Sequence, residues 1–437
     1  MGKGVSGFSK LSKTEKIDWI LKNYLSGSKE AENTIKQYWH NDVDLQRLHD
    51  EFIENTISNF YLPLGVAPNF LINGRTYAVP MAVEESSVVA AASKSAKYWQ
   101  SRGGIKCEVI STQKNGQVHF KFTGAQEELF KFFKEVKPTL FSETKDLTRS
   151  MESRGGGIKE IELLDKTELI PNYYQLNVSF ETRDAMGANF INSCLERIAS
   201  VWEQAFHSSD SFQKQNDELE IIMSILSNYT PNCVVRASVS CDVSDLSYKN
   251  LEGKEFAKKF VEAVEIARVE PYRAVTHNKG IMNGIDAVVI ATGNDFRAVE
   301  AGIHAYASRN GKYSSLSKAS LEDNIFNFSL EIPLAIGTVG GLTNIHPLVK
   351  VCLKILQDPT AEELMQIVAA TGLIQNFAAV RTLITTGIQQ GHMRMHLLNI
   401  LNRYGASENE KSILLEHFKS NPVNNSAVIT EIERLRN

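Results

Sequence analysis

Residues 105–210 carry the pattern that most restricts the fold, because their apolar residues switch between a strand period and a helix period. CEVIST at 107–112 and QVHFKF at 117–122 alternate as half-buried strands do, and Lys114-Asn115-Gly116 between them predicts a hairpin turn. A helix is expected from Ala125, with Leu129, Phe130, Phe132, Phe133 and Val136 clustered mainly on one side. Residues 144–157 are polar and end in Arg154-Gly155-Gly156-Gly157. IKEIELL at 158–164 and YYQLNVSFE at 173–181 read as two further strands around a loop at Pro171, and a long helix runs from near Asp184 to about 206. Strand, strand, helix, strand, strand, helix implies an antiparallel sheet with helices on one face, a compact α+β module. The polar stretch 207–218 leads back out of it.

The flanks are of a different texture. Residues 1–60 look helical: Ser12 and Glu15 match a capping box, and Ile17, Ile20, Leu21 and Tyr24 follow at helical spacing. Residues 61–80 read as loops and short strands, and SSVVAAASKSAKYW at 86–99 as a helix. Further on, 234–243 alternates as a strand, 256–269 is helical, 288–291 reads as a short buried strand and 297–307 as a helix. After 360 the chain is almost wholly helical, punctuated by Gly372, Gly387, Gly391 and Pro422. A chain of 437 residues at roughly 100–200 per domain has room for about two to four domains.

Composition narrows the function classes. Lys+Arg minus Asp+Glu is 47 − 51 = −4, which offers no basic footprint for nucleic acid or an anionic membrane. The five cysteines form no CxxC or zinc-like cluster and read as reduced thiols of a cytoplasmic protein. The N-terminus lacks the apolar core of a signal peptide. The charge-free stretch 332–349 is broken by glycines, polar residues and prolines, short of the about 20 mostly apolar residues of a membrane helix. A soluble protein is expected, with no nucleic-acid or membrane partner.

Four segments concentrate reactive side chains near glycines or tight turns. None follows the dinucleotide fingerprint GxGxxG, the GxSxG elbow, HExxH or a phosphate loop. In the first, Glu84 and Glu85 precede small residues at a helix start. They suit either the helix dipole or a carboxylate raised by a Val-Ala wall until it donates a proton. In the second, Asp184 is a plausible cap for Ala185-Met186-Gly187-Ala188-Asn189. A first-turn glycine costs about 1 kcal/mol relative to Ala and admits either close backbone packing or a ligand phosphate at the helix amides. The third gathers Arg273, His277, Lys279 and Asn283, then Asp295 after Ala291-Thr292-Gly293-Asn294. A lysine beside a buried aspartate stays protonated and holds an oxyanion. In the fourth, Gly391-His392-Met393 and His396 place two histidines a helical turn apart, with no third ligand to mark a metal site.

Taken in order, EESSVVAAAS at 84–93, DAMGAN at 184–189, HNKGIMNG at 277–284, ATGND at 291–295 and GHM at 391–393 resemble hydroxymethylglutaryl-CoA reductase of the soluble bacterial class II. The resemblance spans essentially the whole chain. It implies a large mixed helix/strand substrate domain (1–107 and 216–375), an inserted ferredoxin-like cofactor domain (108–215) and a helical C-terminal flap (376–437). It also implies a four-electron reduction of (S)-3-hydroxy-3-methylglutaryl-CoA to (R)-mevalonate and CoA with two NAD(P)H, within isoprenoid biosynthesis. Glu85, whose Glu-x-Ser matches the family, Lys279, Asp295 and His392 take the catalytic positions, with Asp295 keeping Lys279 charged and oriented. Ser87, Arg273 and Asn283 match substrate-binding positions. Asp184, Met186, Gly187 and Asn189 match the cofactor segment.

The resemblance further implies at least a homodimer with sites at the subunit interface, and a basic N-terminal residue, Lys10 or Lys13, touching CoA. Cofactor choice is expected to lie within 143–160. Lys145, Arg149, Arg154 and Lys159 would meet a 2′-phosphate, and Glu160 and Asp146 a ribose hydroxyl. The choice between NADPH and NADH stays open, with a lean to NADPH. The alternatives are the same catalyst run oxidatively with NAD on mevalonate, a CoA-thioester hydrolase or acyltransferase, and a non-catalytic binding protein of the same fold.

Overall fold

A computed structural model describes residues 4–247, 251–385, 387, 397–398, 400–418, 421 and 423–436. The chain divides into two compact units, Met1–Pro63 and Leu64–Asn437. In the first, helices α1 (Lys13–Tyr24), α2 (Lys29–Gln37) and α3 (Val43–Asp50) follow one another. The capping box at the start of α1 is formed: the Ser12 amide donates to Glu15 at 2.7 Å, and the Glu15 amide to Ser12 Oγ at 3.3 Å. Lys13 is engaged by Asp50 at 2.7 Å and lies over the Trp39 ring.

The second unit opens with a hairpin of β1 (Leu64–Ile72) and β2 (Arg75–Ala82), longer and more regular than the loops and short strands expected there. Helix α4 (Val88–Gln100) covers it, and β3 (Lys106–Thr112) and β4 (Lys114–Phe122) follow. The hairpin expected at Lys114-Asn115-Gly116 is not formed. Strand β3 pairs with β8 (Cys233–Asp242), and β4 pairs with β6 (Tyr173–Glu181) and β7 (Leu219–Leu226). The three turn-like residues are the first rungs of β4. Gly116 is small for a packing reason: a Cβ there would lie 2.5 Å from Leu195 Cδ1 of the helix above. The chain crosses between two sheets at Gln113.

After β4 come α5 (Gln126–Ser142), α6 (Lys145–Glu152), β5 (Gly157–Asp165), β6, α7 (Ala188–His207), α8 (Asp210–Gln215) and β7. The four strands pair antiparallel in the order β5-β6-β4-β7. Leu129, Phe132 and Val136 of α5 and Ile191, Leu195, Ile198 and Trp202 of α7 form one buried cluster on the sheet's inner face with Val118, Phe120 and Phe180. The layer closes with β7, beyond the expected limit at 215, while β3 belongs elsewhere. Because β3 and β8 are neighbours in a four-stranded sheet completed by Ile325–Pro333 and then Ser317–Glu322, residues 114–226 form a loop-out between two adjacent strands.

The remaining elements are α9 (Gly253–Val269), α10 (Pro271–Ala291), α11 (Phe296–Ala307), β9 (Ser317–Glu322), β10 (Ile325–Pro333), α12 (Leu342–Ile345), α13 (Pro347–Ile355) and α14 (Ala361–Thr385). Residues 288–291, expected as a strand, are the last turn of α10. A short apolar run has no periodicity to separate a buried helix from a buried strand. Helix α14 is apolar enough to cross a membrane by length and composition, but 78% of its most apolar window is buried in the core. It crosses α10 closely, since a Cβ on Gly284 would lie 2.7 Å from the Thr371 carbonyl. Residue 376, the expected start of the flap, lies inside α14. Leu397, Leu401, Leu414, Phe418, Val428 and Ile432 form a separate small core built on Glu408–His417 and Asn425–Arg436.

Candidate active site

Helix α10 starts where the Glu270 carboxylate accepts from the amides of Tyr272 and Arg273, with Pro271 in the first turn. The helical repeat of about 3.6 residues then sends successive HNKG side chains to different faces. His277 and Asn278 turn into the core. His277 Nε2 lies 2.7 Å from Ser317 Oγ, which donates on to Asn376 at 2.8 Å. Burial, reinforced by the Arg273 charge, pushes His277 down to about 3, so it is a neutral latch between α10, β9 and α14. Lys279 is left outward.

There Lys279 Nζ donates to Glu85 Oε2 at 2.6 Å. Glu85 arrives on the turn between β2 and α4. The next residue but one, Ser87, caps α4 with φ at 74° and makes no side-chain cap bond. A non-glycine residue held in that region costs of order 1–3 kcal/mol, a strain that clusters at functional sites. Asn283 lies four residues beyond Lys279 and Asp286 seven, so the three share a face of α10.

Asp295 sits at the start of α11. Its carboxylate accepts from the Arg297 and Ala298 amides and pairs with the Arg297 guanidinium at 3.1 Å. Burial works to raise its pKa, but the Arg297 contact and the helix amides outweigh it and hold the group below its ordinary range. The expected contact between Asp295 and Lys279 is not made: the helix terminus and the arginine two residues away take the carboxylate, and Lys279 turns to Glu85. Arg273 is half-buried, has no acid partner among the described residues, and is held below its usual pKa by burial.

The DAMGAN segment bridges the loop-out and the main core. Gly187, with φ at 90°, is the N-cap of α7 rather than a first-turn residue, and a Cβ on it would lie 2.6 Å from Thr182 Cγ2. Asp184, expected as that cap, instead accepts from the Ala361 amide at the head of α14, at 2.8 Å. Its carbonyl takes the Thr338 amide, Ala185 bridges to Val339, and Asn294 accepts from the Gly337 amide. Met186 shares a narrow cleft with Ala298, Val299 and Gly302 of α11. DAMGAN and ATGND, about a hundred residues apart, are thus held together through the 337–339 strap. Asn189 is exposed at the start of α7. His392 and His396 lie outside the described residues.

Two further groups escaped the sequence analysis. Lys114, read as a turn residue, is buried beneath DAMGAN. Asp286, the one acid in the apolar run from Ile285 to Ala291, is pushed up to about 8 by burial and the facing Glu300 carboxyl. That isolated acid was the available signal.

Residues 14–397 match the family model of hydroxymethylglutaryl-coenzyme A reductase. The chain belongs to that family. As a member it is an NAD(P)H-dependent oxidoreductase. The 3-hydroxy-3-methylglutaryl-coenzyme A reductase of Archaeoglobus fulgidus is 36% identical, over 95% of this chain and 91% of that one. A probable reductase of the same name from Borreliella burgdorferi is 35% identical, over 94% and 92%. The class II reductase structure from Streptococcus pneumoniae, bound to NADPH in open conformations, superposes with a TM-score of 0.72 at 36% identity. It covers 88% of this chain and 100% of that one. The mixed helix/sheet fold of this family member is therefore that of the class II reductases.

Proposed function

We propose that this chain reduces hydroxymethylglutaryl-CoA to mevalonate and CoA in two hydride steps, and the Lys279–Glu85 pair carries the reading. An ammonium and a carboxylate held 2.6 Å apart outside the apolar core can serve one carbonyl, the first by stabilising negative oxygen and the second by passing a proton. When bound, NAD(P)H supplies the hydride. Lys279 meets the alkoxide formed from the thioester carbonyl. Asp295, fixed at the head of α11 by Arg297 and the helix amides, is assigned as a further acid of the site. Collapse of the hemithioacetal expels the CoA thiolate, to which His392 gives a proton, and Glu85 protonates the alkoxide left by reduction of the aldehyde. Arg273, which has no acid partner among the described residues, binds the substrate carboxylate, with Ser87 and Asn283 orienting the substrate.

The residues suit a nicotinamide dinucleotide. A cradle for it is the helix start at Gly187, where the backbone packs on Thr182 with no room for a Cβ and the amides of α7 favour phosphate. We assign it to that cradle with Asp184, Met186 and Asn189, and assign residues 114–226 as the ferredoxin-like cofactor domain, with the helices after 397 as the cover. Glu160 is taken by Lys137, Asp146 by Arg197 and Lys145 by Glu152. Arg149 and Arg154 form no ion pair among the described residues, and Lys159 meets Glu152 only at longer range, which favours NADPH over NADH. Tyr272 and Val275, exposed on α10 beside Arg273, suit cover by a second copy in a homodimer. Five unpaired thiols suit the cytoplasm.

A thioester hydrolase using a cysteine nucleophile fits poorly. Burial pushes Cys107 and Cys194 up to about 12, and Cys233 and Cys241 to about 11. The test is nicotinamide absorbance with hydroxymethylglutaryl-CoA, scored as cofactor oxidised per CoA released. A ratio near two supports the full reduction, and CoA release without cofactor oxidation refutes it.

A further inference from the structure

Lys114 stands on the core-facing side of β4, in the same alternating row as Gly116, Val118 and Phe120, and only 4% of it is exposed. Its Nζ donates to Thr182 Oγ1 at 2.6 Å and lies 3.4 Å from the Ala185 carbonyl. Thr182 Oγ1 in turn donates to that carbonyl at 2.6 Å, and the Thr182 methyl fills the space beneath Gly187. One buried amine therefore shapes the turn that starts α7.

The electrostatics of this placement are unusual. No carboxylate among the described residues forms an ion pair with Lys114. The nearby Glu181 carboxylate is spent on Thr112 and on the Arg183 amide. A lysine this deeply buried is ordinarily accompanied by an acid, and here its amine has only neutral oxygens as partners. The start of α7 adds the positive end of a helix dipole to the same corner. Two positive fields converging on one turn oppose each other in the empty protein and reinforce each other when an anion arrives.

We infer that Lys114 is a positioning residue for the dinucleotide. It locks the 182–187 turn through Thr182 and Ala185, and supplies from below the charge that the phosphates of the cofactor meet at the amides of α7. This rests on reading DAMGAN as the nicotinamide-cofactor segment.

The experiment is a titration of the full-length protein with NADPH, followed by nicotinamide fluorescence, for the wild type, Lys114→Met and Lys114→Arg. Loss of one charge near the phosphates should raise the NADPH Kd roughly tenfold in Lys114→Met. The KM for hydroxymethylglutaryl-CoA should stay within about twofold, on the same scale. Lys114→Arg should restore most of the affinity. Unchanged NADPH affinity in Lys114→Met overturns the inference while leaving the cofactor site standing. Parallel loss of both ligands together with the thermal midpoint also overturns it, because that is the mark of a merely structural residue. If the wild type binds no nicotinamide dinucleotide, the cofactor reading falls and Lys114 falls with it. Should Lys114→Met fail to fold, Thr182→Val, which keeps the shape but removes the hydroxyl relay, takes its place. It is expected to raise the NADPH Kd, and an unchanged Kd there counts against the inference.

Discussion

Replacing Lys279 by methionine separates what the Lys279–Glu85 pair does for the fold from what it does for the reaction. The two side chains are 59% and 37% exposed, so water and salt screen their attraction. Exposed ion pairs of this kind contribute about 0.2–1 kcal/mol. For domains of this scale about 1 kcal/mol moves the melting temperature by roughly 2–4 °C, so Lys279→Met should shift it by no more than that. Methionine also keeps most of the lysine stem, and Glu85 remains hydrated when its partner is lost. The catalytic loss should be far larger, because removing one charge-stabilising donor from a developing oxyanion costs about 10²–10³ in kcat. Differential scanning fluorimetry reads the first quantity, and steady-state oxidation of NADPH with hydroxymethylglutaryl-CoA reads the second. Turnover within tenfold of wild type would remove Lys279 from the chemistry. A fall in melting temperature of more than about 10 °C would make the pair a structural element instead.

Arg273→Ala should raise the KM for hydroxymethylglutaryl-CoA by about tenfold or more with a smaller change in kcat, since a charge-assisted contact contributes about 1.5–3 kcal/mol; an unchanged KM would take Arg273 out of the binding site. His392→Gln should slow reduction of the thioester far more than reduction of free mevaldehyde, because only the thioester expels a thiolate, and equal losses would contradict that role. Asp286 is a stability prediction with a definite sign. Its carboxyl is raised to about 8 in the folded protein, first by burial and then by Glu300, but ionises at its ordinary low value when unfolded. Its contribution is therefore full below about pH 4 and is lost as the pH rises through about 8. Urea midpoints measured from acid to alkaline pH should fall less steeply for Asp286→Asn than for wild type, and identical slopes would refute the assignment.

Much of the local structure was legible because local chemistry decides it. The capping box at Ser12, the strands β5 and β6 around Pro171, and helices α5, α9 and α11 each carry their own periodicity, and each forms close to the expected place. Where periodicity was absent or borrowed, the reading failed. Residues 288–291 lacked enough length to declare themselves helical. Lys114-Asn115-Gly116 imitates a hairpin turn, yet no short-range signal can say that β3 prefers a partner more than a hundred residues away. The same blindness hid Lys114, whose burial exists only once α7 lies across β4.

The identity of the reactive groups belongs to the sequence: the residue types in EESS, DAMGAN, HNKG and ATGND, in that order, are enough to point to a CoA-thioester reductase. Their arrangement does not. Which of two acids faces Lys279, that Asp184 serves the head of α14, and that DAMGAN meets ATGND across the 337–339 strap all depend on contacts between distant segments. Such contacts are chosen by packing and by competition among hydrogen-bonding partners after the elements have formed. A one-dimensional pattern holds no record of that competition.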